Sequence, residues 1–440
     1  MTSVPAIPVP VSIPELAGPP VWPASAVAAP GGDVAVAGVP LTDIAERYGT
    51  PAYVLDEGEV RARARAWRRA LPDADVVYAA RAFLCRAMVD WIADEGLGLG
   101  VRSAAELELA ASRGFPADRI VLHGNAKSPR DLRTALRLGV GRIVIDSACE
   151  IARVASQVPG PEPQQVLIRV VPGSGTRGSG LSVADGAAED AVARVLGQPR
   201  LDLVGVHCRP DTRLASAAAS PEPYAMAVRH TVAFLARIRD RFGVTLPEVD
   251  LGGGFAAARR PGDPAPAPAA YARRIRDALI RHCAEADLPL PRLTVEPGRS
   301  VAAPAGIAVY RVLAVHRSPG GRTTVAVDGG LSDNPRPALY GARYTVRMVG
   351  RVSAAPMRAT TVVGRHHEPG DVLADAVELP EDVRPGDLLA VPASGAYQVS
   401  MASGYDMTGR PPVIAVAGGR SRLLVRRETS EDQRMRDVGL

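Results

Sequence analysis

Lysine is almost absent from this chain of 440 residues: among 52 basic side chains, Lys127 is the only one, and the others are arginine. Chemistry through a side-chain amine therefore has a single candidate. A coding bias toward arginine covers the surface positions, but it does not make the exchange neutral wherever an amine is needed. Cysteine is scarce as well. Cys85, Cys149, Cys208 and Cys283 lie far apart with no CxxC or Cys/His ligand spacing, which argues against a disulfide framework or a structural zinc and fits a reducing, cytoplasmic setting. No apolar run approaches the length of a membrane-spanning helix. The first 30 residues lack the basic start and unbroken apolar stretch of a secretory signal. A formal charge of +5, scattered along the chain, leaves no nucleic-acid footprint.

What is present is an ordinary globular composition, 47% hydrophobic and 22% charged, in a chain long enough for two domains. Residues 1–34 are rich in Pro and Ala and read as a disordered or polyproline-like tail. From about Leu41 short apolar runs alternate with helical periodicity. Strands are expected near Asp75–Tyr78, Ile120–His123, Ile143–Asp146, Val166–Val171, Leu203–His207, Glu248–Leu251 and Leu293–Glu296, with helices such as Ala104–Arg113, Ser128–Leu138 and Pro223–Arg241 between them. About 240 residues of this alternation predict a (β/α)8 barrel over 58–303. After Pro304, Val-rich alternating runs broken by Gly, Pro and Asp predict an antiparallel β domain over 304–430. Pro261–Pro268 reads as a surface loop.

Several strand ends carry chemistry-bearing residues. Asp250-Leu-Gly-Gly-Gly-Phe255 closes an apolar strand with three glycines, a turn that lets backbone N–H groups approach an anion, although a tight βα turn would read the same. Glu296-Pro-Gly-Arg299 puts a carboxylate and a guanidinium at the C-terminal end of the last barrel strand, the face where barrel sites are built. Glu suits a protonated ring nitrogen, and Arg a carboxylate or phosphate. His123-Gly-Asn-Ala-Lys127 ends a further strand. In the β domain, Arg336-Pro-Ala-Leu-Tyr340, Gly395-Ala-Tyr397 and His366-His367-Glu368 form polar loop clusters. Adjacent histidines on an extended segment face opposite ways, and no third ligand stands at a useful spacing, so no metal site is expected.

Together these segments, with Tyr48-Gly-Thr-Pro-Ala-Tyr-Val54, resemble the diaminopimelate decarboxylase family of fold-type III pyridoxal-phosphate enzymes, which includes ornithine decarboxylase. The resemblance runs from about Leu41 to Asp432. It implies that residues 35–57 contribute a strand to the β domain and that the protein is a homodimer, each barrel completed by the partner's β domain. It also implies pyridoxal 5'-phosphate as cofactor. Gly252, Gly253, Gly254, Gly298 and Arg299 would hold the phosphate, Glu296 would pair with the pyridine nitrogen, and Tyr397 would touch the cofactor. Arg299, Arg336, Tyr340 and Glu368 would hold the substrate's distal carboxylate and amine.

The departures fall in the reacting centre. The family's Schiff-base lysine is Arg81, whose guanidinium stays protonated and cannot attack a carbonyl carbon. The family's Asp is Gly100. Its His-Ile-Gly-Ser run, which stacks on the ring and touches the phosphate, reads Arg209-Pro-Asp-Thr212. The Ser-Lys-Phe-Gly loop is shortened to Arg177-Gly-Ser-Gly180, and the catalytic cysteine is His367. One expectation is an altered amino-acid decarboxylase with non-covalent cofactor, Arg81 supplying charge and His367 the proton. A second is a silent homologue that binds an amino-acid or phosphate ligand or regulates an active relative. A third is a different reaction on the same scaffold. Lys127 offers the only substitute amine.

Overall fold

The computed structural model describes residues 21–172, 180–208, 210, 220–319 and 322–439. Two compact units emerge. One spans Arg61–Ala256 and Pro264–Val301; the other combines Met1–Val60, Ala257–Asp263 and Ala302–Leu440.

The first unit is a closed barrel of eight parallel strands: Asp75–Ala79, Gly98–Val101, Ile120–Leu122, Arg142–Ile145, Gln164–Val171, Leu201–His207, Glu248–Asp250 and Arg292–Val295. The last pairs with the first, Thr294 against Asp75, which closes the ring. A two-residue strand, Leu181–Ser182, pairs in parallel with the C-terminal end of Gln164–Val171. Val77, Val121, Val144, Leu167 and Val204 from five of the strands form one buried cluster, the β-branched packing expected of a barrel. The strand Gly98–Val101 escapes a search for apolar runs because two of its four residues are glycine.

Aromatics make up only 4% of the chain, yet four of them gather behind the glycine turn. Phe255 stacks on Tyr224 at 4.6 Å between ring centroids, with Trp67 at 4.3 Å and Tyr271 at 5.0 Å. Trp67 Nε1 donates to Ser300 Oγ at 3.1 Å. Ring packing of this kind exceeds simple area burial, so both Gly252–Gly254 and the Arg299 turn are pinned from behind.

The second unit is a mixed sheet. Its long strand Gly306–Arg317 pairs antiparallel with Ala52–Asp56, Thr323–Val327 and Leu388–Pro392. The expected antiparallel β domain is present, with two parallel pairings inside it. Thr323–Val327 runs parallel to Met357–Val363, and Ala52–Asp56 parallel to Val413–Ala417. These strands are joined by long excursions rather than hairpins, and such connections permit parallel pairing. Residues 21–34 of the proline-rich segment are ordered. Val21 and Trp22 are buried, Ser25 Oγ donates to Asp56, and Val27–Ala29 pairs with Asp33–Val36. Composition undervalued this stretch because apolar burial, not local propensity, holds it.

Asp333 is a buried acid at the centre of this unit. Its oxygens accept from Tyr310 Oη at 2.6 Å and the Gly330 N–H at 2.6 Å. Burial nevertheless pushes its pKa up to about 6. A raised carboxyl favours the folded state while protonated, so its contribution is present near pH 4 and lost as pH rises through about 6. Asp333→Asn should remove that loss. Its stability relative to wild type, from urea unfolding, should rise by roughly 2–3 kcal/mol between pH 4 and pH 7.

Candidate active site

In the barrel, the strand ends bring His123, His207, Asp250 and Glu296 together. Backbone bonds fix the ends: His123 N–H to Val101 O at 2.8 Å, Cys208 N–H to Asp250 O at 2.8 Å and Glu296 N–H to Gly252 O at 2.9 Å. The rings of His123 and His207 meet edge to face at 5.4 Å. His123 Nε2 stands 2.5 Å from Glu296 Oε1, a close approach whose geometry is not that of a hydrogen bond. Asp250 Oδ1 accepts from the Gly252 N–H at 2.7 Å.

Two buried carboxyls this close do not both ionise readily. Burial and the neighbouring Glu296 charge push Asp250 well above the usual carboxylate range. Burial alone would raise Glu296 too, but the neighbouring His123, His207 and Asp250 groups outweigh it and hold Glu296 below its ordinary value. The two shifts run in opposite directions, so Glu296 is the member of the pair whose surroundings favour the charged form.

The glycine turn sits beside this charge. Gly252 and Gly254 have φ of +61° and +114°, backbone that side chains other than glycine rarely adopt. A Cβ on Gly253 would strike the Glu296 carbonyl oxygen, and one on Gly298 would stand 2.9 Å from Ala79 Cβ. Arg299 is half-buried and donates to Gly254 O at 3.0 Å. So Gly252, Gly253, Gly254, Glu296, Gly298 and Arg299 are brought together. Arg209, the Arg177–Ser179 stretch and Asp211–Thr212 lie outside the described residues.

Arg81 occupies the one-turn helix Ala80–Ala82 directly after the first barrel strand. Its charge is felt by Glu106, whose carboxyl is raised by burial and lowered in part by Arg102 and Arg81. Glu106, His207 and Asp250 were not singled out from the sequence. His207 and Asp250 end apolar strands, a signal that was available; Glu106 looks like any helical glutamate. Gly100 faces the space beside His123, where an added Cβ would be 3.7 Å from the ring.

Lys127 is fully enclosed. Its Nζ donates to Gly124 O at 2.9 Å and to Glu150 Oε1 and Oε2 at 3.2 and 3.1 Å, with none of its side chain exposed. Burial lowers its pKa against the pull of Glu150. An amine bound in three directions and sealed from solvent does not offer a lone pair to a ligand carbonyl.

In the β unit, the short helix Arg336–Tyr340 and the loop at Tyr397 form a second cluster. The Arg336 guanidinium lies 5.4 Å from the Tyr340 ring centre and 5.1 Å from that of Tyr397, a cation–π sandwich. Tyr397 takes φ +69° and Tyr340 is largely exposed. His366 is buried while His367 and Glu368 are exposed, and Glu368 accepts from Tyr405 Oη. Among the described residues, the metal-type grouping is instead His123, His207 and Glu296, their ligand atoms within 4.8 Å of one another.

These features define a class: a (β/α)8-barrel protein whose strand ends set a glycine turn, open to an anion, beside a buried carboxylate. Residues 57–303 match the pyridoxal-dependent decarboxylase family through its pyridoxal binding domain. The chain is 51% identical to a diaminopimelate decarboxylase of Actinosynnema pretiosum subsp. auranticum, over 92% of this chain and 93% of that one. It is 41% identical to that of Mycobacterium tuberculosis, over 94% and 97%. The crystal structure of diaminopimelate decarboxylase from M. jannaschii in complex with L-lysine superposes with a TM-score of 0.87 at 25% identity, covering 95% of this chain and 98% of that one. The chain belongs to the diaminopimelate decarboxylase family of pyridoxal-phosphate-dependent decarboxylases.

The residues present fit that family's cofactor. Glu296 Oε1, Asp250 Oδ2 and His123 Nε2 are buried polar atoms without a hydrogen bond, and an ionised Glu296 suits a protonated pyridine nitrogen. The glycine turn supplies an anion cradle in which a Cβ would collide. What the donor set lacks is the amine. Among the described residues no helix is long and apolar enough to cross a membrane.

Removing Lys127 should expose its structural role. Lys127→Met leaves Glu150 buried and unpaired, and urea unfolding should show a loss of about 3 kcal/mol; an unchanged midpoint would contradict the pairing.

Proposed function

We propose that this protein decarboxylates an amino acid of the diaminopimelate type, using pyridoxal phosphate held by non-covalent contacts alone, more slowly than a member with a Schiff-base lysine. The observation that carries this reading is the split within the barrel site. The charge pair Asp250–Glu296 and the glycine cradle are intact, while the single lysine is locked to Glu150 and position 81 is arginine.

Bound pyridoxal phosphate supplies an electron sink for the pair released when a carboxylate departs as CO2. The chain's own residues do the rest. The N–H groups around Gly252–Gly254 and Gly298, with Arg299, bind the phosphate and fix the ring's position. Glu296, ionised, holds a proton on the ring nitrogen, and Asp250, neutral, keeps that negative charge single. Arg81 leaves a positive charge where the amine would stand, countered by Glu106. Arg336, Tyr340 and Glu368 orient the substrate's distal carboxylate and amine, Tyr397 contacts the cofactor, and His367 returns a proton to the carbon that loses CO2. With meso-diaminopimelate the products are lysine and CO2. L-lysine held by the M. jannaschii relative supports that ligand class. The reading takes the protein as a homodimer, the β unit of one copy serving the barrel of the other.

A second reading is favoured by the same locked lysine: a homologue that binds cofactor and amino acid without turnover, or regulates an active partner. Two measurements separate the readings. Borohydride treatment of the wild type with pyridoxal phosphate should give no covalent adduct by intact mass, and Arg81→Lys should gain one. Release of CO2 from meso-diaminopimelate should be measurable in wild type and at least tenfold faster in Arg81→Lys. No release from wild type at any enzyme concentration leaves the silent reading, and an adduct on Lys127 overturns both.

A further inference from the structure

The β unit contains a Ser–His–Asp relay. His366 Nδ1 is 2.9 Å from Asp406 Oδ2, and His366 Nε2 is 2.8 Å from Ser332 Oγ. The roles follow from the chemistry. A carboxylate oxygen of Asp406 only accepts, so Nδ1 carries a proton and donates; when the ring holds that one proton, Nε2 accepts from the Ser332 hydroxyl. A neutral imidazole in that single tautomer satisfies both bonds.

The constellation has the polarity of a fastening rather than of a hydrolase. In a serine nucleophile site the hydroxyl faces substrate and the carboxylate is enclosed. Here Ser332 is 3% exposed, while the Asp406 side chain is 54% exposed. The buried end is anchored further. The Ser332 carbonyl accepts from Ser403 N–H at 2.8 Å, and the Asp371 oxygens accept from Leu331 N–H at 2.6 Å and His366 N–H at 2.9 Å. A Cβ on Gly330 would stand 2.7 Å from Asp371 and 2.9 Å from the His366 ring, so the loops at 330 and 366 are in close contact. The solvent end clasps the turn Tyr405–Met407, where Asp406 takes φ +53°. The Tyr405 ring lies 5.2 Å from His366, and its hydroxyl donates to Glu368.

We propose that His366 is a positioning residue. Through Asp406 and Ser332 it latches the Tyr405 turn to the loop that carries His367 and Glu368, and so fixes where those two side chains are presented. That His367 and Glu368 meet substrate rests on the reading under Proposed function; the latch itself does not. The relay joins residues 34 and 40 positions apart. Both bonds are needed to orient the one ring.

The experiment uses the full-length chain with pyridoxal phosphate present. In ring-nitrogen NMR at about pH 8, where an ordinary histidine is neutral, His366 should show a protonated Nδ1 and a bare Nε2; the opposite tautomer overturns the proposal. Asp406→Ala should weaken L-lysine binding about tenfold by calorimetry and shift the backbone amide signals of His367 and Glu368. Asp406→Asn, which keeps an oxygen for the Nδ1 proton, should stay within about threefold of wild type and leave those signals near their places. Ser332→Ala combined with Asp406→Ala should cost no more than the worse single change, because both act through one ring. Unchanged affinity and unmoved amides in Asp406→Ala contradict the latch. If wild type binds no L-lysine, the functional reading fails, and the tautomer and amide signals still decide the latch.

Discussion

A buried negative charge must be compensated, and in the barrel unit that requirement organises the site. Glu296 is buried, yet the flanking His123 and His207 hold its carboxyl below its ordinary value while burial and the Glu296 charge push Asp250 up. Every other feature of the barrel mouth defers to this arrangement. The glycine turn follows Asp250 so closely that Gly253 has no room for a side chain. Phe255, one residue past the glycines, is clamped among Trp67, Tyr224 and Tyr271 so that the turn does not relax away from the charge.

The same principle assigns the two cations that the sequence makes conspicuous. Lys127, the single lysine, neutralises Glu150 inside the barrel wall and is consumed by that duty. Arg81 stands in the one-turn helix after the first barrel strand, where its charge reaches Glu106. Both keep a positive charge in place, and neither is an available nucleophile. The barrel keeps a buried carboxylate beside a glycine turn, while position 81 is arginine and the single lysine is tied to Glu150.

Much of this was legible in the sequence because barrel chemistry sits at strand ends, and strand ends are marked by apolar runs stopping at polar residues. Asp250-Leu-Gly-Gly-Gly and Glu296-Pro-Gly-Arg carry their meaning locally. The strand Gly98–Val101 does not, since its glycines are required by close packing against Val77 and Arg119 rather than by local propensity. The parallel pairing of Ala52–Asp56 with Val413–Ala417 spans most of the chain, so no local pattern announces it. The ordered segment 21–34 shows the limit of composition, since Trp22 finds a buried place despite the prolines around it. The relay of Ser332, His366 and Asp406 was invisible for the same reason. The pair His366–His367 drew attention as a metal pattern, whereas one ring turned inward to two residues that only the fold brings near.

If Glu296 bears the negative charge of the pair, the ring nitrogen of a bound cofactor should be protonated. Titrating pyridoxal phosphate labelled with 15N in its ring into the wild-type chain tests it most directly. The account requires saturable binding and a ring-nitrogen resonance of the protonated form that Glu296→Gln abolishes. A ring nitrogen that binds unprotonated in the wild type, or no saturable binding, would contradict it.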